Sequence, residues 1–160
     1  MEKTVRTMMD LIAGEVCGKG EGTAPCALTE EAAARLYRLS ASHDLAHLVG
    51  NALLAGNCLP AGESRAKFEK PVMLAVYRDE QIDHELARLR ETLSAAGIPF
   101  TPLKGAVLRQ YYPEPWMRTS CDIDILIRES DLDAAAQLLT DRLSYRKGEK
   151  GSHDVALYSD

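Results

Sequence analysis

Asp122-Ile123-Asp124 is the part of the sequence whose residue types and spacing most directly suggest chemistry. On a β-strand side chains two residues apart point the same way, so both carboxylates project from one face while Ile123 anchors the other. Two rigidly held carboxylates suit Mg²⁺ or Mn²⁺, and Mg²⁺ completes its shell with water and substrate phosphates. Metals held in this way activate an attacking hydroxyl and stabilise a departing pyrophosphate in an in-line displacement. Taken alone, the motif better fits two solvated acids at the end of a strand. Upstream stands Leu103-Lys104-Gly105 at a strand-to-helix turn. Glycine there lets the backbone approach a phosphate, a helix N-terminus offers free N–H groups, and Lys104 adds a mobile positive charge. By itself this motif better fits a turn glycine beside a surface lysine, and the two motifs gain weight together.

Arg118, four residues before Asp122, has the fork geometry to bind a phosphate or to pair with the acidic strand, and the sequence leaves both open. His43 and His47 share the i, i+4 spacing of a zinc pair, but ordinary helix histidines are far commoner and the metalloprotease glutamate is missing. Trp116, Tyr111 and Tyr112 flank Pro-Glu-Pro and read as a loop packed on the core rather than a base-stacking platform. His84, His153 and the cysteines form no nucleophile and base pattern.

The elements that must position these residues fall into two grammars. Val5, Met8, Met9, Ile12 and Val16 recur at helical spacing over residues 2–18, before the glycine-rich run Gly18 to Gly22. Thr29 with Glu30 and Glu31 caps a helix reaching about Ser40, and another through Leu45, Leu48, Ala52 and Leu53 stops at Gly56-Asn57. From Ser64 to Ala96, Ala75, Ile82, Leu86, Leu89, Leu93 and Ala96 mark a long helix that Pro71 breaks or starts. After Gly97 the pattern changes. Ile98 to Leu103 is extended, Ala106 to about Tyr111 is a short helix, and Cys121 to Ile127 is a strand with apolar residues on both faces, hence central. Leu132 to Leu143 is helical with Ala135, Leu138, Leu139 and Leu143 inward; Tyr145 and Val155 to Tyr158 are further strand candidates. The expectation is an α+β fold, with a helical region (1–97) packed on a small mixed-sheet core (98–160), the two forming one continuous domain.

Composition bounds the function. The 160 residues carry a net charge of −5, from 24 acidic and 19 basic side chains, which disfavours sequence-independent binding to nucleic acid. At 46% apolar and 27% charged, with apolar runs far below the about 20 residues of a membrane span, the chain reads as a soluble globular domain. The absence of a signal-peptide pattern, and four scattered cysteines (Cys17, Cys26, Cys58, Cys121) without a C-x-x-C pair, point to the cytoplasm and reduced thiols.

The stretch from Pro102 to Ile127 combines Leu103-Lys104-Gly105, Tyr112-Pro113, Arg118 and Asp122-Ile123-Asp124-Ile125. It resembles the signature of an uncharacterised bacterial nucleotidyltransferase family within the DNA polymerase β-like superfamily. The likeness is dense over residues 98–143 and looser upstream, where it includes Ala41-Ser42-His43. It implies a minimal nucleotidyltransferase sheet with flanking helices, Asp122 and Asp124 as catalytic metal ligands for Mg²⁺ or Mn²⁺, and Lys104 and Gly105 along the phosphates of an NTP. Arg118 is grouped with these as nucleotide-binding. The implied reaction moves a nucleoside monophosphate to an acceptor hydroxyl, on a protein or small molecule in preference to nucleic acid.

Two departures stand out. Gly105 is followed by Ala106 where the superfamily usually has serine, and its usual third carboxylate, on a later strand, lies in this family beyond a segment like His153 to Tyr158. Neither Asp154 nor Asp160 replaces it, so the expectation is a core truncated at the C-terminus or a degenerate member. The rival readings are a non-catalytic nucleotide-binding or regulatory module and a helical interaction protein.

Overall fold

The computed structural model describes residues 2–18, 27–151 and 154–159. Gly20, Gly22, Cys26, His153 and Asp160 lie outside them. Six α-helices are described: α1 (Glu2–Cys17), α2 (Glu30–Ala41), α3 (Ala46–Ala55), α4 (Glu63–Ala95), α5 (Gly105–Leu108) and α6 (Glu129–Leu143). The strands are β1 (Phe100–Pro102), β2 (Ile125–Ile127), β3 (Arg146–Lys150) and β4 (Val155–Tyr158), and single 3₁₀ turns occupy Arg109–Tyr111 and Pro115–Met117. The fold is α+β. The expected mixed sheet is not found among the described residues, where β1 pairs with β2 and β3 with β4, both antiparallel.

The chain divides into two compact units. The first holds Met1–Asp79 and Leu108–Thr119. Its core joins Met8 and Leu11 of α1, Ala33 and Leu36 of α2, Val49 and Leu53 of α3, and Phe68 of α4, with Cys58 and Leu59 from the preceding loop. The stripe on α1 is therefore narrower than its periodicity suggests: Met8 is buried as expected, whereas Val5 and Met9 are exposed. Thr29 caps α2 as its type predicts, its Oγ1 accepting from the Ala32 N–H at 3.3 Å. Close approach explains a glycine in α3, since a Cβ at Gly50 would stand 3.0 Å from the Phe68 carbonyl oxygen of α4. Pro71 neither starts nor breaks α4, which runs through it from Glu63 to Ala95. A proline removes one ladder hydrogen bond, and a helix of this length anchored by Phe68 and Ala75 absorbs that loss.

Three helix ends share one closure. Leu45, Cys58 and Ile98 return their N–H groups to the carbonyls of Ser40, Leu53 and Leu93, at 2.8, 2.9 and 2.9 Å. The residue before each, Asp44, Asn57 and Gly97, is left-handed, with φ of 57°, 49° and 68°. This is the Schellman arrangement, in which a left-handed residue turns the chain and orphan carbonyls are satisfied. The first closure separates the two histidines. His43 lies in an exposed turn while His47 is buried on α3, so they do not share a helix and the zinc geometry is absent.

The second unit holds Glu80–Val107 and Ser120–Asp160. Its core gathers Leu89 and Leu93 of α4, Ala135 and Leu139 of α6, and Tyr145, with Phe100, Ile123, Ile125, Ile127 and Leu157 packed against them. The alternation expected for Asp122 to Ile127 is seen: the isoleucines face this core and Leu126 is 60% exposed. Apolar character on both faces does not mark a central strand here, because β2 belongs to a two-stranded sheet.

Candidate active site

The site is built on the β1–β2 ladder, in which Phe100, Thr101 and Pro102 stand opposite Ile127, Leu126 and Ile125. The regular strand is shorter than expected and begins after both aspartates. One more bond extends the same register, the Leu103 N–H donating to the Asp124 carbonyl at 2.8 Å. Asp124 is thereby fixed by the ladder although it lies outside the strand proper, and Ile123, packed in the core, pins the residue between the two acids. Asp122 is exposed and Asp124 half-buried.

Across the ladder the chain turns at Lys104, whose φ of 41° is left-handed. Such a backbone costs a non-glycine residue about 1–2 kcal/mol. Asp44, Asn57 and Ser144 adopt the same region while closing helices, where Asp and Asn tolerate it better than most side chains; Lys104 adopts it at the entry to one. Its exposed side chain reaches back, with Nζ 3.3 Å from Asp124 Oδ2. The ladder thus brings three of the expected residues, Lys104, Gly105 and Asp124, to one end of one sheet, while Asp122, two residues before Asp124, is exposed outside the regular strand.

Gly105 is not itself left-handed. It opens α5, and the positive φ that its type would carry freely falls on the lysine before it. Nor does α5 offer a phosphate much of a helix N-terminus, because it is one turn long and passes directly into a 3₁₀ turn. What remains at this turn is the ammonium group of Lys104. Arg118 belongs to the first unit, where it follows the second 3₁₀ turn and its N–H bonds the Pro115 carbonyl at 3.2 Å. Its assignment to nucleotide rests on the sequence resemblance.

Two buried contacts escaped sequence reasoning. In the first unit Arg109, 4% exposed, donates to Asp79 Oδ1 at 2.6 Å and to the Asp79 carbonyl at 3.2 Å. Nearby in the chain, His47 Nε2 donates to the Met117 carbonyl at 3.0 Å, and its ring meets Trp116 edge-on at 6.4 Å. Together they hold the two 3₁₀ turns. Trp116 packs as expected, while Tyr111 is 81% exposed and not part of that packing. A spacing of 30 residues between Arg109 and Asp79, or 70 between His47 and Met117, leaves no local signal in the sequence.

The donor set can be tested against a divalent cation. Hard oxygen ligands suit Mg²⁺, which needs only one or two carboxylates when substrate phosphates and water supply the rest. Asp124 already attracts a cation, the Lys104 ammonium, and Asp122, two residues before it, is exposed. By chemistry the two carboxylates are donors of the kind such an ion takes. Among the described residues no group of three or more His, Cys, Asp or Glu side chains is placed to hold a metal. Cys17 and Cys121 are exposed thiols, and the buried Cys58 thiol donates to the Gly56 carbonyl at 3.2 Å.

Fold and ladder together define an α+β protein with an aspartate and a lysine brought together at one sheet end. The chain belongs to the family described as uncharacterised nucleotidyltransferase, whose model matches residues 29–159. General nucleotidyl transfer, with an NTP as substrate, follows from that membership. No curated protein and no solved structure matches the chain. Among the described residues no helix is long and apolar enough to cross a membrane.

Proposed function

We propose that this protein is a metal-dependent nucleotidyltransferase that moves a nucleoside monophosphate from an NTP to an acceptor hydroxyl, with Asp122 and Asp124 as ligands of Mg²⁺ or Mn²⁺. The observation that carries the reading is the acidic face of the β1–β2 ladder, with Asp124 fixed by its backbone and faced by Lys104 at 3.3 Å. A bound divalent cation supplies the charge that steadies the phosphates and the departing pyrophosphate. Asp122 and Asp124 would hold that cation just before β2, where the Leu103 N–H bond fixes the Asp124 backbone and Ile123 packs on the core. Lys104 contacts the nucleotide phosphates, standing in for the hydroxyl that Ala106 lacks. The net charge of −5 favours a protein or small-molecule acceptor over nucleic acid.

The test is a melting-temperature titration with MnCl₂ and each NTP, because a ligand that binds only the folded state raises apparent stability. The wild-type chain is expected to rise with metal and nucleotide together, and Asp122→Ala/Asp124→Ala to lose that rise. An equal rise in the variant refutes the assignment. A second reading, a module that binds nucleotide without turning it over, is favoured by the lack of a three-acid group among the described residues. It predicts the same rise with no pyrophosphate release when candidate acceptors are added.

A further inference from the structure

The Lys104–Asp124 contact has a meaning beyond charge balance. We propose that Lys104 is an exchangeable cation: it occupies Asp124 in the nucleotide-free protein, yields that carboxylate to the incoming metal, and is thereby released to the phosphates. The inference rests on the reading of Asp122 and Asp124 as metal ligands. It assigns Lys104 a role that membership of the family does not specify, that of coupling metal binding to nucleotide binding.

Three observations carry it. The pair is formed across the ladder, with Nζ 3.3 Å from Oδ2, so the lysine occupies a face of the carboxylate on which a metal would compete. The lysine side chain is 74% exposed and that of Asp124 37%, and an ion pair so solvated contributes only about 0–1 kcal/mol. It is therefore readily exchanged for a doubly charged ion, unlike the buried Arg109–Asp79 pair. Finally, Lys104 holds a left-handed φ of 41° where the neighbouring Gly105 would adopt it without strain. Strained backbone of this kind persists where surrounding structure demands it, and it concentrates at ligand sites.

The charges show why exchange couples the two ligands. Two aspartates and one lysine leave the face with one net negative charge, which repels a triphosphate. A divalent cation in place of the ammonium neutralises both carboxylates, and the displaced lysine adds a positive charge for the phosphates. Each ligand therefore favours the other, as reciprocal coupling requires.

The experiment measures Mn²⁺ alone by the paramagnetic resonance of the free ion, and then inorganic tripolyphosphate by calorimetry at saturating Mn²⁺, which avoids any choice of base. Wild type, Lys104→Met, Lys104→Gly and Asp122→Ala/Asp124→Ala are compared. Lys104→Met is expected to bind Mn²⁺ alone up to about fivefold more tightly, the equivalent of removing a competing pair of this strength, and to bind tripolyphosphate more weakly. Lys104→Gly, which relieves the left-handed strain, is expected to show the same opposite pair of changes. A merely structural lysine would move both affinities in one direction. Mn²⁺ affinity that is unchanged or weaker in both lysine variants overturns the exchange while leaving the acidic site in place. Equal Mn²⁺ binding by wild type and the double aspartate variant overturns the site itself, and the exchange with it.

Discussion

The first unit holds an ion pair inside, whereas the second presents one at a sheet end. In the first, Arg109 and Asp79 meet with side chains 5% and 14% exposed, and His47 gives its N–H to a backbone carbonyl. In the second, Lys104 and Asp124 meet with side chains 74% and 37% exposed. Both are ion pairs within hydrogen-bonding or near-bonding distance, yet their physics differs. A buried pair cannot lose one member without leaving a charge in a medium of low dielectric, while an exposed pair is rehydrated at little cost. Burial with satisfied partners is the mark of a structural contact; solvated charge is the mark of a group free to exchange partners.

That contrast breaks first at Arg109. Arg109→Leu is expected to destabilise the protein by about 3–5 kcal/mol in urea denaturation, the range for removing one partner of a buried pair. A loss below about 1 kcal/mol would place this pair with the exposed one and erase the distinction. A second polar cluster, in the second unit, lies between the extremes. Tyr145 donates to Glu85 Oε2 at 2.5 Å and Arg88 to Oε1 at 2.7 Å. Burial pushes the Tyr145 hydroxyl well above its ordinary 10.0, reinforced by the bond to Glu85 and its negative charge. Burial would raise Glu85 too, but the bonds from Tyr145 and Arg88, with the Arg88 charge, outweigh it and hold the carboxyl below its ordinary 4.5.

The signs of the two shifts set opposite pH limits. The lowered Glu85 contributes stability that is present above 4.5 and lost as pH falls through its folded value. The raised Tyr145 contributes stability that is present below 10.0 and lost as pH rises toward its folded value. Tyr145→Phe is expected to cost about 1 kcal/mol at neutral pH, and the difference from wild type should shrink in urea denaturation above pH 10. A pH-independent difference would show that the hydroxyl contributes through packing alone. The smallest effect belongs to Lys104→Met, expected to change folding stability by less than about 1 kcal/mol while altering ligand affinity. A larger loss would mean that the lysine holds the turn together.

Much of this was legible in local patterns. Thr29, Asn57 and Gly97 announce helix ends through their own backbone preferences, and alternating isoleucines announce which face of Asp122 to Ile127 turns inward. Lys104, Gly105 and the aspartates were legible as a set because their chemistry is written in residue type. The β1–β2 pairing that unites them was not, since nothing in either strand alone specifies its partner. The same limit hid Arg109–Asp79 and His47–Met117, and it let Pro71 pass for a helix break when packing overrides propensity. The mixed sheet failed for a related reason: apolar residues on both faces of β2 signalled a central strand, but one of them, Leu126, lies open to solvent.

The bond from the Leu103 N–H to the Asp124 carbonyl has a kinetic side. Pairing Phe100 with Ile127 closes a loop that contains both Lys104 and the two aspartates, and the entropy of that closure must be met before any part of the loop is rewarded. A ladder this short, with an exposed outer face, belongs to the elements that open at low free energy. Hydrogen exchange at the single amide of Leu103 therefore times the opening of the site directly, in the absence of any ligand and separately from the unfolding of either core.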